Sequence, residues 1–291
     1  MKKTITFLTV LILILALAAT LTGLLTRGGP GLREIEGFRG EPVTLWGRGL
    51  YQEDSLSVAA QGLAQDAVTL GAGIPLLALS LVLYRKGSLR GALLLAGTLG
   101  YFLYTYVSYV FLWMYNPLFF LYVALMSLSF FAFLLVMGEI PPGRVARRAD
   151  PRMPVKRLGG FLIFFGAAVG LLWTGKILAS LMGGVPPQGL DHYTTLVIQG
   201  LDLGFVVPAA CLGGVLLIRR KPWGYLLSAV MLVKGFTMGL ALSAMIVSQA
   251  AAAVAMSAGE LVVFPMFSVL VVYFLWEFLR HIRPEGLQEG K

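Results

Sequence analysis

Apolar residues gather in windows of roughly 20, the length that crosses about 30 Å of hydrocarbon at 1.5 Å per residue. The windows fall near 4–26, 66–84, 91–113, 117–137, 159–182, 194–218, 224–247 and 252–279. They predict an all-α, polytopic membrane helix bundle of about eight transmembrane helices. The third and fourth are joined by "WMYNP" (113–117), short enough to force an antiparallel hairpin, with Trp113 and Tyr115 suited to an interface. Lys2, Lys3 and the following apolar run up to Ala16-Leu17-Ala18 also fit a secretory signal, but apolar sequence continues through Leu25 and favours a retained first helix.

One polar stretch of substance lies outside the windows, at 27–65. It carries mixed charge and ends in "EDSLSVAAQGLAQD" (53–66), where Asp54 or Ser55 would cap a helix running into the second span. The stretch is too short to be a domain. It reads as a lid or interfacial helix over the bundle mouth, or as a plain solvated loop.

The windows also repeat. "TLGAGIP" (69–75) and "DLGFVVP" (202–208) share an L-G-x-x-[I/V]-P frame, and shifting the chain by 133 positions over Leu63–Leu99 gives 12 identities in 37 without gaps. Leucine-rich helices give about four or five by chance, so the Gly and Pro matches carry more weight, because these residues mark backbone geometry. They are Gly71/Gly204, Pro75/Pro208 and Gly91/Gly224. The expected organisation is a tandem repeat of four-helix units with parallel orientation: residues 1–138 with the 27–65 segment, a basic linker at 139–158, a second unit at 159–280 and a tail at 281–291. Parallel repeats of this kind often place a ligand site at their interface.

Composition agrees with a membrane protein: 58% hydrophobic, 13% charged, mean hydropathy +0.83. The net charge of +9 sits in short clusters between spans, which argues against nucleic acid as a partner and for membrane orientation. Lys2, Lys3, "RKGSLR" (85–90), "RVARRADPRMPVKR" (144–157), "RRK" (219–221) and "RHIR" (280–283) fall on one side. The positive-inside rule makes that side cytoplasmic, so both termini are expected in the cytoplasm of a cell inner (plasma) membrane protein, with the basic loops against anionic headgroups of the bilayer. The single cysteine, Cys211, excludes an intramolecular disulfide. No phosphate-binding loop, hydrolase elbow or metal-binding motif occurs, so neither a metal nor another cofactor is expected.

Chemistry concentrates in the second unit. Lys176, Asp202, Lys234 and Glu260 lie within apolar windows, where charges are costly and face one another or a wet cavity. Two lysines and two acids balance, so the group serves either as a structural salt-bridge network or as a site. Asp66 matches Gln199 and Thr69 matches Asp202 in the repeat register, each pair sharing one helix face ahead of its proline. Tyr104, in "YFLYTYVSYVFLWMY" (101–115), adds a phenol at similar depth. The ligand-binding candidates are therefore Lys176, Gln199, Asp202, Lys234, Glu260, Asp66 and Tyr104. The pattern points to binding or transport of a small polar or amphipathic molecule, the acids taking protons or cations while Lys176 or Lys234 holds an anionic group. An enzyme acting on a lipid-linked substrate and a non-catalytic scaffold or sensor subunit are the alternatives.

Overall fold

Long runs of Leu, Ile, Val, Ala and Phe without turn residues satisfy their backbone groups only as helices in an apolar medium. The computed structural model describes residues 1–254 and 258–283, without the side chains at 258–260 and 262–264. Its eight long helices are the first, Lys2–Leu25, the second, Leu56–Arg85, the third, Leu89–Phe111, and the fourth, Phe119–Glu139, followed by the fifth, Val155–Gly183, the sixth, Val197–Ile218, the seventh, Pro222–Ala251, and the eighth, Ala258–Arg280. Among the described residues seven are long and apolar enough to cross a membrane, so the chain is an all-α integral membrane bundle.

The second helix starts ten residues earlier than hydropathy places it, at Leu56 rather than 66. Its extra turns are polar and pair with the equally long seventh helix, Ser57 Oγ donating to Gln249 Oε1 at 3.0 Å. At this end the 27–55 segment forms neither an interfacial helix nor a free loop. Strands β1 (Arg33–Glu36) and β2 (Pro42–Leu45) make an antiparallel hairpin, in register from Arg33 opposite Leu45 to Glu36 opposite Pro42. A short turn then plants Tyr51, 1% exposed, into the bundle. Ser55 is the N-cap, accepting from Val58 N, which leaves Asp54 free for another partner. We call this the capped end. The opposite, basic end carries Lys2, Lys3, Arg85, Lys86, Arg90, the 144–157 linker and the 219–221 turn, and is pinned by Arg90 Nε donating to the Ile282 carbonyl at 2.8 Å.

Local geometry recurs at the 133-residue offset. Both the second and sixth helices widen into a five-residue π-turn, Thr69–Gly73 and Asp202–Val206, one residue before the start of Ile74-Pro75 and Val207-Pro208. Proline has no N–H to donate to the turn before it, and a π-turn is one way of absorbing that loss. Both helices then close in the same hairpin. Gly87 N donates to the Tyr84 carbonyl and Ser88 N to that of Leu83, while Arg220 N donates to Leu217 and Lys221 N to Leu216. The residue at the left-handed position is Gly87, φ +85°, in one hairpin and Arg220, φ +52°, in the other. A side chain there is strained by about 1 kcal/mol, so Arg220→Gly is expected to raise unfolding free energy by about that amount, and an unchanged value in detergent–lipid micelles would refute it.

The halves meet where the third helix crosses the seventh. A Cβ on Gly97 would lie 3.1 Å from the Val230 carbonyl oxygen and 2.3 Å from Val233 Cβ. Val230 is the residue 133 positions beyond Gly97, so the helices touch at equivalent points. Contacts away from this crossing are unequal. The seventh helix packs along Leu56–Val68 of the second, whereas the third touches the sixth mainly at Val197–Leu201. The third and sixth helices are thus less closely packed than the second and seventh.

Candidate functional site

Asp202 opens the π-turn of the sixth helix. Tyr104, from the third helix, donates its hydroxyl to Asp202 Oδ1 at 2.8 Å. Trp173, from the fifth, donates Nε1 to Oδ2, also at 2.8 Å. Lys234, from the seventh, holds Nζ 3.9 Å from the centroid of the Tyr104 ring, within electrostatic reach of Asp202. Lys176 sits 5.7 Å from the Trp173 ring centroid, one turn nearer the capped end. Four helices thus converge on one carboxylate, and each of its oxygens is met by a neutral donor. Asp202, Tyr104, Trp173, Lys176 and Lys234 are all half-buried.

The place 133 positions earlier in the chain is sealed and uncharged. Thr69 and Tyr101, the counterparts of Asp202 and Lys234, share a hydrogen bond of 2.8 Å, and Gln65 Nε2 donates to the same phenol at 2.8 Å. Tyr101, Thr69 and Gln65 are fully buried. One backbone device therefore carries two contents: a closed neutral lock in the first half and an open charged group in the second.

Asp66 belongs to a separate network. Tyr51 donates to its Oδ2 at 2.5 Å and Tyr109 to its Oδ1 at 2.9 Å. Gly23 of the first helix makes room for it, since a Cβ there would lie 1.8 Å from Oδ2. Around it Tyr109 stacks on Trp113 at 4.5 Å and meets Tyr122 edge-on at 4.9 Å. Among the described residues no lysine or arginine pairs with Asp66, and the two phenols replace the water it has lost. Asp66 ties the cap, through Tyr51, to the first three helices. Trp113, expected at the interface, is instead buried in this aromatic stack, while Tyr115 is exposed.

Of the remaining candidates, Gln199 lies on the face of Asp202 but its side chain bonds to no described residue. The Glu260 side chain lies outside the described residues. The eighth helix packs antiparallel on the seventh, with Val271 against Gly235 and Ser268 against Gly239. That register puts position 260 level with about residue 247, on the order of 20 Å along the axis from Lys234. Among the described residues no three His, Cys, Asp or Glu side chains gather as a metal site requires.

No protein-family model matches the chain, and neither does any curated protein or solved structure. The site has to be read from its own geometry. Trp173 is the contributor that sequence reading missed. Its position, one turn from Lys176 on the same helix face, was the available signal.

Above the site the two halves are clasped at the capped end. Asp54 Oδ1 accepts from Met114 N and from the Tyr193 hydroxyl, each at 2.9 Å, and Tyr193 in turn accepts from Ser55 N. Arg39 donates to the carbonyls of Asp191 and Tyr193, and His192 Nε2 to that of Glu53. Burial pushes the Asp54 carboxyl up to about 7, against the pull of the Met114 and Tyr193 hydrogen bonds. The clasp joins the 27–55 segment directly to the loop that leads into the sixth helix.

Proposed function

We propose that the protein binds a small polar or amphipathic molecule at the Asp202 cluster and passes it across an inner (plasma) membrane, with both termini and the basic end in the cytoplasm. The carrying observation is the convergence of the third, fifth, sixth and seventh helices on Asp202, within the membrane and half-buried. A purely structural pin would be sealed, as its counterpart at Thr69 and Tyr101 is. Two tandem units of parallel orientation are supported by the matching π-turns, hairpins and crossing point. The π-turn and proline pairs supply equivalent joints about which the halves can rock. The basic loops suit anionic headgroups on the cytoplasmic side.

The test is retention of ligand. Protein purified in discs of its native lipid is extracted, and the released molecules are identified by mass spectrometry. The wild type is expected to hold one species near stoichiometric amount. Asp202→Ala, which frees both Tyr104 and Trp173, is expected to lower its occupancy about tenfold, equivalent to about 1.4 kcal/mol. Tyr104→Phe keeps the ring beneath Lys234 and should lower it less. Identical profiles in all three proteins, at equal yield and melting temperature, would remove Asp202 from ligand binding.

A further inference from the structure

We infer that the ligand of the Asp202 cluster is an amphipathic anion, its charged head held by Lys234 and its apolar tail lying against the exposed leucines beside Trp173. This rests on the cluster being a binding site, as proposed above, and specifies what the site takes. The decisive point is which charges are already satisfied. Asp202 has both oxygens occupied, by the Tyr104 hydroxyl and the Trp173 indole, each at 2.8 Å. Neither donor is a cation, so the acid consumes no ammonium.

Lys234 and Lys176 remain. Among the described residues neither Nζ makes a hydrogen bond or an ion pair; each rests against an aromatic face, Tyr104 at 3.9 Å and Trp173 at 5.7 Å. An ammonium offers three donors and no acceptor. Aromatic faces hold a cation in place but accept none of those N–H groups as an oxyanion does. Asp202 thus positions the two rings, the rings position the two ammonium groups, and among the described residues the site holds two cations to one acid, with no oxyanion hydrogen-bonded to either ammonium. Lys234 is the anchor because it lies deeper, 12 residues into a helix that begins at Pro222 and runs to Ala251. Lys176 stands nearer the capped end, its Nζ 4.0 Å from where a Cβ on Gly189 would be, and adds a second positive charge to the site.

The amphipathic part follows from what surrounds the charges. The cluster is half-buried on helices long and apolar enough to cross a membrane, and Leu171 and Leu172 beside Trp173 are exposed. A carboxylate or phosphate carried on an alkyl chain can place its head at Lys234 and its tail against these leucines. A free inorganic anion would have to cross the same apolar rim without a tail to compensate.

Tryptophan quenching tests this with one tail in two charge states. 9,10-Dibromostearate and its methyl ester are titrated at pH 8 into protein in neutral micelles, and the Trp173 signal is taken as the difference from Trp173→Phe. The anion is expected to quench at a concentration at least tenfold lower than the ester. Lys234→Met should abolish that preference, Lys234→Arg should retain it, and Lys176→Met should weaken anion binding about threefold. Millimolar inorganic phosphate should not displace the probe. Equal quenching by acid and ester, still sensitive to Asp202→Ala, would overturn the anion assignment while leaving the site in place. Quenching by both probes that ignores Asp202→Ala would remove the site as well. Full displacement by phosphate would overturn the amphipathic part.

Discussion

Alanine at Gly91 and at Gly224 is expected to destabilise the bundle by about 2–3 kcal/mol at each position, although alanine favours a helix by about 1 kcal/mol over glycine. The third and seventh helices begin against the backbone of the helices before them. A Cβ on Gly91 would lie 2.6 Å from the Leu83 carbonyl carbon and 2.7 Å from Tyr84 N; one on Gly224 would lie 2.3 Å from Leu216 C and 2.2 Å from Leu217 N. These partners are backbone atoms inside hydrogen-bonded hairpins and cannot turn aside as a side chain would. Gly71 and Gly204 provide the control, because nothing lies within 4 Å of a Cβ at either and alanine there is expected to be neutral or mildly stabilising. The four variants are compared by reversible unfolding in detergent–lipid micelles. If Gly91→Ala and Gly224→Ala behave like the controls, the close hairpins do not exist; if only one is destabilising, the two hairpins are not equivalent.

The same residues show how much was legible beforehand. Gly71, Pro75 and Gly91 with their partners 133 positions on announce backbone events, and at those places the chain has a π-turn, a helix restart and a close hairpin in both halves. Glycine and proline speak directly about backbone geometry, so a few matched positions outweigh many matched leucines. The capped end was poorly legible for the opposite reason. Its hairpin strands are four residues each, and its second-helix extension is polar because it packs against Gln249 beyond the apolar windows. Nothing periodic marks the hairpin, whereas the Ser55 cap and the helix running from it into the second span were legible in "EDSLSVAAQGLAQD".

The site was legible as charges but not as an arrangement. Asp202 and Lys234 were visible as ionisable residues in apolar windows, and they do come together, but the expectation of acid against amine missed the aromatic layer between them. Asp66 was visible through its match to Gln199, yet its partners are tyrosines from the loop and the third helix. A sequence shows which residues need compensation; only the fold shows who supplies it, and neutral donors such as Trp173 and Tyr109 carry no charge to advertise themselves.

Asp54 gives the second large effect, in the pH dependence of stability. Its carboxyl is 1% exposed, and burial raises it from 3.8 to about 7 in the folded protein. Between roughly pH 4 and 7 the folded state holds a proton that the unfolded chain has released, so this group's contribution falls as pH rises through that window and levels off above it. The full shift corresponds to at most about 4 kcal/mol. Asp54→Asn keeps a carbonyl oxygen for Met114 N and Tyr193 and has no proton to lose, so its unfolding free energy is expected to decline less between pH 5 and 8 than that of the wild type. Parallel profiles for the two proteins would show that Asp54 carries no such proton. The consequence reaches the site through the chain itself. Tyr193 lies four residues before Val197, where the sixth helix starts, and Asp202 opens that helix's π-turn. The charged carboxylate accepts more strongly from Tyr193 and Met114 N, so it is the cost of burying it, not the loss of these bonds, that favours opening of the clasp at high pH. Opening there frees the end of the helix that positions Asp202, while the basic end, held by Arg90 and Ile282, stays fixed. A deprotonated Asp54 should accordingly release the capped side of the site first, and the pH dependence of ligand retention should flatten in Asp54→Asn together with that of stability.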